Sequence, residues 1–246
     1  MPTTDRPAVV LIHGYSLTPA IWDPILPALP ADRPMLVPDL SNVDTVGHMS
    51  EYAALIKAQL DARGIGRAVL IGHSMGGYVA LAFAEAYPDV MAGLGLLHSA
   101  AHADPPERQQ ARLDTIRRLE TEGPATFARS FVPNLYAPGF LTQSPDAVWR
   151  HIDTMAALKL SALVTGMSVM RTRLDRRHVV ASARYPVVFI AGKADKSIPH
   201  ELAMEQANLS PNASYVLLDD VAHHEIGHMG MVEAPEACVA VLRAML

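Results

Sequence analysis

Residues 68–87 read AVLIGHSMGGYVALAFAEAY: an apolar run, a turn of small residues, then a second apolar run with helical spacing. The stretch is as long as a membrane span, but His73, Ser74 and the adjacent Gly76 and Gly77 interrupt it. A strand, a tight turn and a helix satisfy it better, and both elements must be buried because neither offers a polar face. Similar short runs, rich in Val, Ile and Leu and not alternating with polar residues, recur at 9–13, 35–37, 93–97, 187–191 and 215–218. Helical patterns lie between most of them. In SEYAALIKAQLDARG, Ser50 is placed to cap the start and Gly64 to end the helix. Strands alternating with helices predict an α/β fold with a mostly parallel, doubly wound sheet covered by helices on both faces.

The alternation breaks between 104 and 184, where amphipathic helical segments are separated by EGP, VPN and YAPGF turns. An α/β core built from 1–103 and 185–246 is therefore expected, with 104–184 inserted as an all-helical cap or lid. A chain of 246 residues, half of them hydrophobic, can bury one sizeable core. The formal charge of -5 and the lack of any basic run argue against a nucleic-acid or anionic-membrane partner. MPTTDRPAVVLIHG lacks the basic start and apolar centre of a secretory signal, so cytoplasmic residence is expected. Cys238, the single cysteine, can form no internal disulfide and is read as core packing.

GHSMGG at 72–77 has the form of a nucleophile elbow, which needs a strand, a turn too sharp for flanking side chains, and a helix beginning under the serine. Gly72 and Gly76 supply the missing bulk. Ser74 would project above the carboxyl edge of the sheet, with the helix N-terminus and the Met75 amide beneath a developing oxyanion. With LIHGYS and VPDL before it, and FIAGKADKSIP and GHMGMVEAPEACVAVL after it, the chain resembles the α/β-hydrolase family over nearly its full length. The resemblance implies Tyr15, which follows the His-Gly pair, as the second oxyanion amide. Gly14 agrees, since it lets that loop turn tightly at a neighbouring strand's end. His13 is read as bracing the loop. Many relatives follow PDL with an Arg-Gly-His-Gly type of loop, whereas this chain has SNVDTVGHMSEY, so the resemblance points to no subfamily.

A serine hydroxyl needs a base within hydrogen-bond reach and a carboxylate that fixes the base's tautomer. In the family the order is serine, acid, histidine. Asp195 lies just beyond the 187–191 run and so on the same sheet edge as Ser74; the other reading is a cap for a helix starting near Pro199. Asp219 and Asp220 are its rivals. The resemblance of GHMGMVEAPE to the family's histidine loop implies His228 as base, with His223 and His224 as alternatives and Glu233 bracing the loop. His224-Glu225-Ile226-Gly227-His228 also matches the zinc pattern HExxH, which requires a helix so that both histidines share one face. A loop is expected at 220–233, before a last helix that starts near Ala234 with Pro235 in its first turn. A helix there would lose about 1 kcal/mol at each of Gly227 and Gly230, and the third metzincin histidine position is Ala234. HExxH is read as coincidence, and neither a metal nor another cofactor is expected.

These residues together predict acyl transfer to water through an acyl-enzyme, with a small or medium carboxylic ester as the substrate. Phe127, Phe131, Tyr136, Trp149 and Met167, with Phe140, Met155 and Met170, are candidates for an apolar pocket in the cap, each with the alternative, favoured residue by residue, of holding the cap helices together. Arg171, Arg173, Arg176 and Arg177 are read as a solvated basic face, with a carboxylate site as the alternative. Acyl transfer to other acceptors, carbon–carbon hydrolysis, cofactor-free haloperoxidase or perhydrolase chemistry and hydroxynitrile lysis share the same triad. A ligand-binding receptor with little turnover is the competing class. Nothing in the chain speaks to oligomeric state.

Overall fold

The computed structural model describes residues 6–219 and 225–246. The described residues form a six-stranded sheet of β1 (Ala8–Ile12), β2 (Met35–Leu36), β3 (Ala68–His73), β4 (Met91–Leu97), β5 (Val187–Gly192) and β6 (Ala213–Leu218). The spatial order is β2-β1-β3-β4-β5-β6, and every pair is parallel. Helix α1 (Met49–Asp61) crosses from β2 to β3, and α2 (Met75–Ala86) from β3 to β4. The 68–87 stretch is thus β3 and α2 joined at Ser74. Every residue of β1, β3 and β5 is buried, as continuous apolar strands between two helical layers should be. β6 is the exception: most of it is only half buried, because it lies at the sheet edge.

Ser50 does not cap α1; it lies inside the helix, which starts one residue earlier after His48. The C-terminal end follows expectation. Gly64, at φ 66°, donates to Asp61 O and Ile65 donates to Leu60 O, a Schellman closure.

Between β4 and β5 the described residues form six α-helices: α3 (Pro106–Glu122), α4 (Pro124–Phe131), α5 (Pro138–Gln143), α6 (Pro145–Ala156), α7 (Leu160–Arg171) and α8 (Arg177–Ala181). Four of them begin at a proline, the residue whose missing N–H costs nothing at a helix start. Inside this inserted segment α3 packs on α7 and α4 on α6. The core resumes with α9 (His200–Ala207) and closes with α10 (Gly230–Glu233) and α11 (Pro235–Met245). Among the described residues no single helix is long and apolar enough to cross a membrane. Cys238 is fully buried in α11, where burial pushes its thiol up to about 12.

The chain leaves β1 toward β2 and returns to β3 on the other side, so strand order reverses between β1 and β3. Parallel sheets bind ligands at the carboxyl ends flanking such a reversal. Register brings these ends level, pairing Ile12 with Gly72, His73 with Leu97, and Leu97 with Ile190.

Candidate active site

Ser74 links β3 to α2 with φ 51° and ψ −115°, a conformation that costs a side-chain-bearing residue on the order of 1–3 kcal/mol. The surroundings hold it there. Its N–H donates to Leu97 O at 2.9 Å, and its carbonyl accepts from Ser99 Oγ at 2.8 Å. A Cβ on Gly76 would lie 2.2 Å from the Ile12 carbonyl oxygen, and one on Gly72 would lie 2.3 Å from Gly76 O. Backbone, not a movable side chain, occupies the space. Gly76→Ala should therefore destabilise the fold by more than about 3 kcal/mol, the upper range for overpacking, as read from the urea midpoint. An unchanged midpoint would show that the turn has slack.

Ser74 Oγ and His228 Nε2 are 2.9 Å apart, and His228 Nδ1 lies 2.7 Å from Asp195 Oδ2. Asp195 Oδ1 accepts from the N–H groups of Ser197 and Ile198 at 2.8 and 2.9 Å, so the carboxylate caps its own turn while facing the histidine. Burial alone would raise its pKa. The His228 charge and the hydrogen bonds from His228 and His98 outweigh burial and hold the carboxyl well below the usual carboxylate range. Asp219 sits elsewhere, 3.2 Å from Lys193 Nζ. Asp220, His223 and His224 lie outside the described residues.

Glu225 to Met229 are not helical, so this stretch does not form the helix that an HExxH site uses. The expected 220–233 loop ends earlier than the sequence suggests, because α10 takes up Gly230–Glu233 before the break at Ala234. His98, Asp195 and His228 form a group of possible metal ligands. The 2.7 Å between Asp195 Oδ2 and His228 Nδ1 is a proton-sharing distance. Two ligands on one tetrahedral zinc would stand about 3.3 Å apart.

Three further residues support the site, and of these sequence reasoning places only Glu233, as a brace of the histidine loop. His98, at φ 50° and fully buried, lies 3.1 Å from Asp195 Oδ2 through Nδ1, while its Nε2 accepts from Gly230 N–H at 3.2 Å. A carboxylate only accepts, so the Asp195 contact calls for a proton on Nδ1, which the Gly192 N–H also approaches at 3.3 Å. His73 Nε2 donates to the His228 carbonyl at 2.8 Å and holds the backbone of that residue. Glu233 accepts from the N–H groups of Gly227, Met229 and Ala137, each at 3.0 Å, tying the histidine loop to the inserted helices. The only sequence signal for His98 was a histidine just past an apolar strand. His13 braces its loop as read, donating from Nδ1 to Gly14 O and accepting from Leu40 N–H at Nε2.

Met75 is the first residue of α2, so its N–H has no intrahelical acceptor. Tyr15 follows β1 in the turn where Ser16 adopts φ 64°. A cavity of about 170 Å³ opens over Ser74 and His228, with Tyr15, Phe131, Leu135, Met167, Met170 and Met229 among its walls. Phe131, Met167 and Met170 thus line it as expected. Other expected residues lie elsewhere. Phe127 is buried against Phe131 and helps hold the helices together, and Trp149 stands 49% exposed under Arg129. Tyr136 faces a different cavity of about 310 Å³, where its hydroxyl meets His151. The basic cluster also differs from expectation. Arg173 and Arg176 are buried against Asp104 and Glu85, and Arg177 is the solvated member.

Burial lowers the pKa of His13, His73, His102 and His151, and pushes His151 down to about 3. Below pH 6.5 the unfolded chain binds protons on these rings that the folded chain refuses, so stability rises with pH across that window. Each unit of displacement is worth about 1.4 kcal/mol. The urea midpoint should fall steadily from pH 7 to pH 4. A flat profile would mean that the rings are protonated in place.

A parallel sheet with a helical insertion after its fourth strand, and a serine at the tip of its strand-to-helix turn, define the α/β-fold hydrolases as a class. A profile of the alpha/beta hydrolase family matches residues 9–241, and the chain belongs to that family. It is 28% identical to a pimeloyl-[acyl-carrier protein] methyl ester esterase of Aromatoleum aromaticum, over 97% of each chain. It is 25% identical to Lipase 1 of Psychrobacter immobilis, covering 92% of this chain and 72% of that one. A thermophilic esterase from Thermogutta terrifontis superposes with a TM-score of 0.88 at 26% identity, over 98% of this chain and 90% of that one.

Proposed function

We propose that this protein is a carboxylesterase that acts through an acyl-enzyme on Ser74, with residues 104–184 as its cap. The observation that carries this is the continuous chain of 2.9 and 2.7 Å contacts from Ser74 through His228 to Asp195. Ser74 Oγ attacks the ester carbonyl carbon while His228 Nε2 takes the hydroxyl proton. Asp195 keeps the other ring proton on Nδ1, so Nε2 is free to accept. The oxyanion is received by the Tyr15 and Met75 amides. As the bond to the alcohol oxygen breaks, Nε2 returns its proton to that oxygen, and the acyl group stays on Ser74. Water then repeats the sequence in place of the serine and releases the acid.

The similarity to an esterase and a lipase supports an ester over other acyl compounds. An apolar cavity of about 150 Å³ suffices for benzene, so 170 Å³ suits a short acyl or alcohol part. p-Nitrophenyl esters of rising chain length should be cleaved best at the short end, in EDTA as well as without it. A fluorophosphonate should label Ser74. Labelling without turnover across the series would favour a receptor or another acyl chemistry, and activity that needs zinc would overturn the mechanism.

A further inference from the structure

Two cationic side chains, Arg108 and Arg112 of α3, stand in the wall of the cavity over Ser74, and no carboxylate does so among the described residues. Arg112 is almost entirely buried, with its side chain 11% exposed. Its Nε is held by Asp104, but its Nη1 meets only the thioether sulfurs of Met167 and Met170, each at 3.4 Å. Thioethers are weak acceptors, so a charged donor is left without an oxygen partner inside an apolar pocket. Asp104 does not neutralise it. That one carboxylate also faces Arg173 at 2.7 Å and Arg108 at 3.4 Å, so three guanidinium groups share one negative charge.

A second orphan lies in the same wall. The hydroxyl of Tyr15 is buried and has no hydrogen-bond partner among the described residues. Burial raises its pKa, outweighing the opposite effect of the Arg112 charge, so the group stays a neutral donor. Two buried donors, one of them charged, border a space lined by no carboxylate among the described residues. Buried polar groups are normally satisfied, and a group left open in a cavity marks where a ligand supplies the missing atom.

We infer that the cavity recognises an ester bearing a carboxylate away from the scissile bond, its oxygens accepting from Arg112 Nη1 and the Tyr15 hydroxyl; this rests on the esterase assignment above. The carboxylate replaces the thioethers as partner of Arg112 and offsets the surplus positive charge around Asp104. The methionines and Phe131 take up the chain between the two polar ends. Arg108 contributes to the positive field and also donates from Nη2 to Ser197 O at 2.6 Å, which joins α3 to the turn that carries Asp195.

The test pairs esters that differ only in the end group. Monomethyl glutarate is compared with methyl pentanoate, and 4-acetoxybutanoate with butyl acetate, by pH-stat. The wild type should favour the charged member of at least one pair by tenfold or more in kcat/KM. That ratio should fall at least tenfold in Arg112→Met, fall less in Arg112→Lys, and drop in Tyr15→Phe. Equal or inverted preference in both pairs for the wild type would overturn the inference, and this comparison does not depend on any variant folding. A binding measurement separates it from the esterase assignment. Glutarate should bind Ser74→Ala in calorimetry, 1,5-pentanediol should not, and the added Arg112→Met change should weaken glutarate at least tenfold. Glutarate binding without hydrolysis of any ester would sink the esterase assignment alone, whereas no glutarate binding would sink the carboxylate site.

Discussion

Ser74→Ala is expected to lower kcat/KM toward short esters by roughly 10⁵- to 10⁶-fold, and His228→Ala by a similar factor, with the double variant no worse than either. The size follows from the geometry. In the proposed mechanism, Oγ at 2.9 Å from Nε2 is one proton-transfer unit, so removing either end removes the step assigned to both. What the proposal leaves in place is the stabilisation assigned to the Tyr15 and Met75 amides and to substrate binding, neither of which needs the hydroxyl. Steady-state kinetics with circular dichroism to check folding decides the matter. More than one per cent of wild-type activity in either variant, or losses that multiply in the double, would show that another pair carries the chemistry.

Asp195→Asn should cost roughly 10⁴-fold in kcat. The carboxylate accepts on both sides, from two backbone amides at Oδ1 and from two imidazoles at Oδ2. An asparagine can offer only one acceptor oxygen. If it faces the Ser197 and Ile198 amides, its NH₂ group faces His228 Nδ1 and drives the ring proton to Nε2, where it blocks acceptance from Ser74. His98→Asn tests the second imidazole, with asparagine chosen because it tolerates φ 50°. Losing one charge-assisted hydrogen bond, worth about 1.5–3 kcal/mol, should cost roughly ten- to a hundredfold. A kcat for Asp195→Asn within tenfold of wild type would mean that the tautomer is set elsewhere.

Part of the candidate site could be read from the chain because two of its three central residues follow a local rule. Ser74 needs only its flanking glycines and the strand and helix beside them, and Asp195 needs only an apolar run ending just before it. His228 was found by resemblance, since its neighbours 223 and 224 offer the same side chain. The supporting residues were not legible in this way. His98 meets Asp195 across 97 residues and Glu233 meets Ala137 across 96, and no periodicity marks a contact made at such separation. Arg173 and Arg176 misled for the same reason: four arginines within seven residues suggest a wet face until Asp104 and Glu85 arrive from distant elements. Trp149 was misplaced because aromatic character does not say which side of a helix meets the pocket.

Glu233 gathers amides from both sides of the seam between sheet and insertion, and beside it His228 N–H donates to Leu135 O at 2.8 Å. Residues 135–137 therefore cannot lift away from the sheet without breaking bonds to the very loop that presents the imidazole. Under the proposed mechanism, a change that displaces residues 135–137 would therefore also disturb the distance between the imidazole and the seryl alcohol.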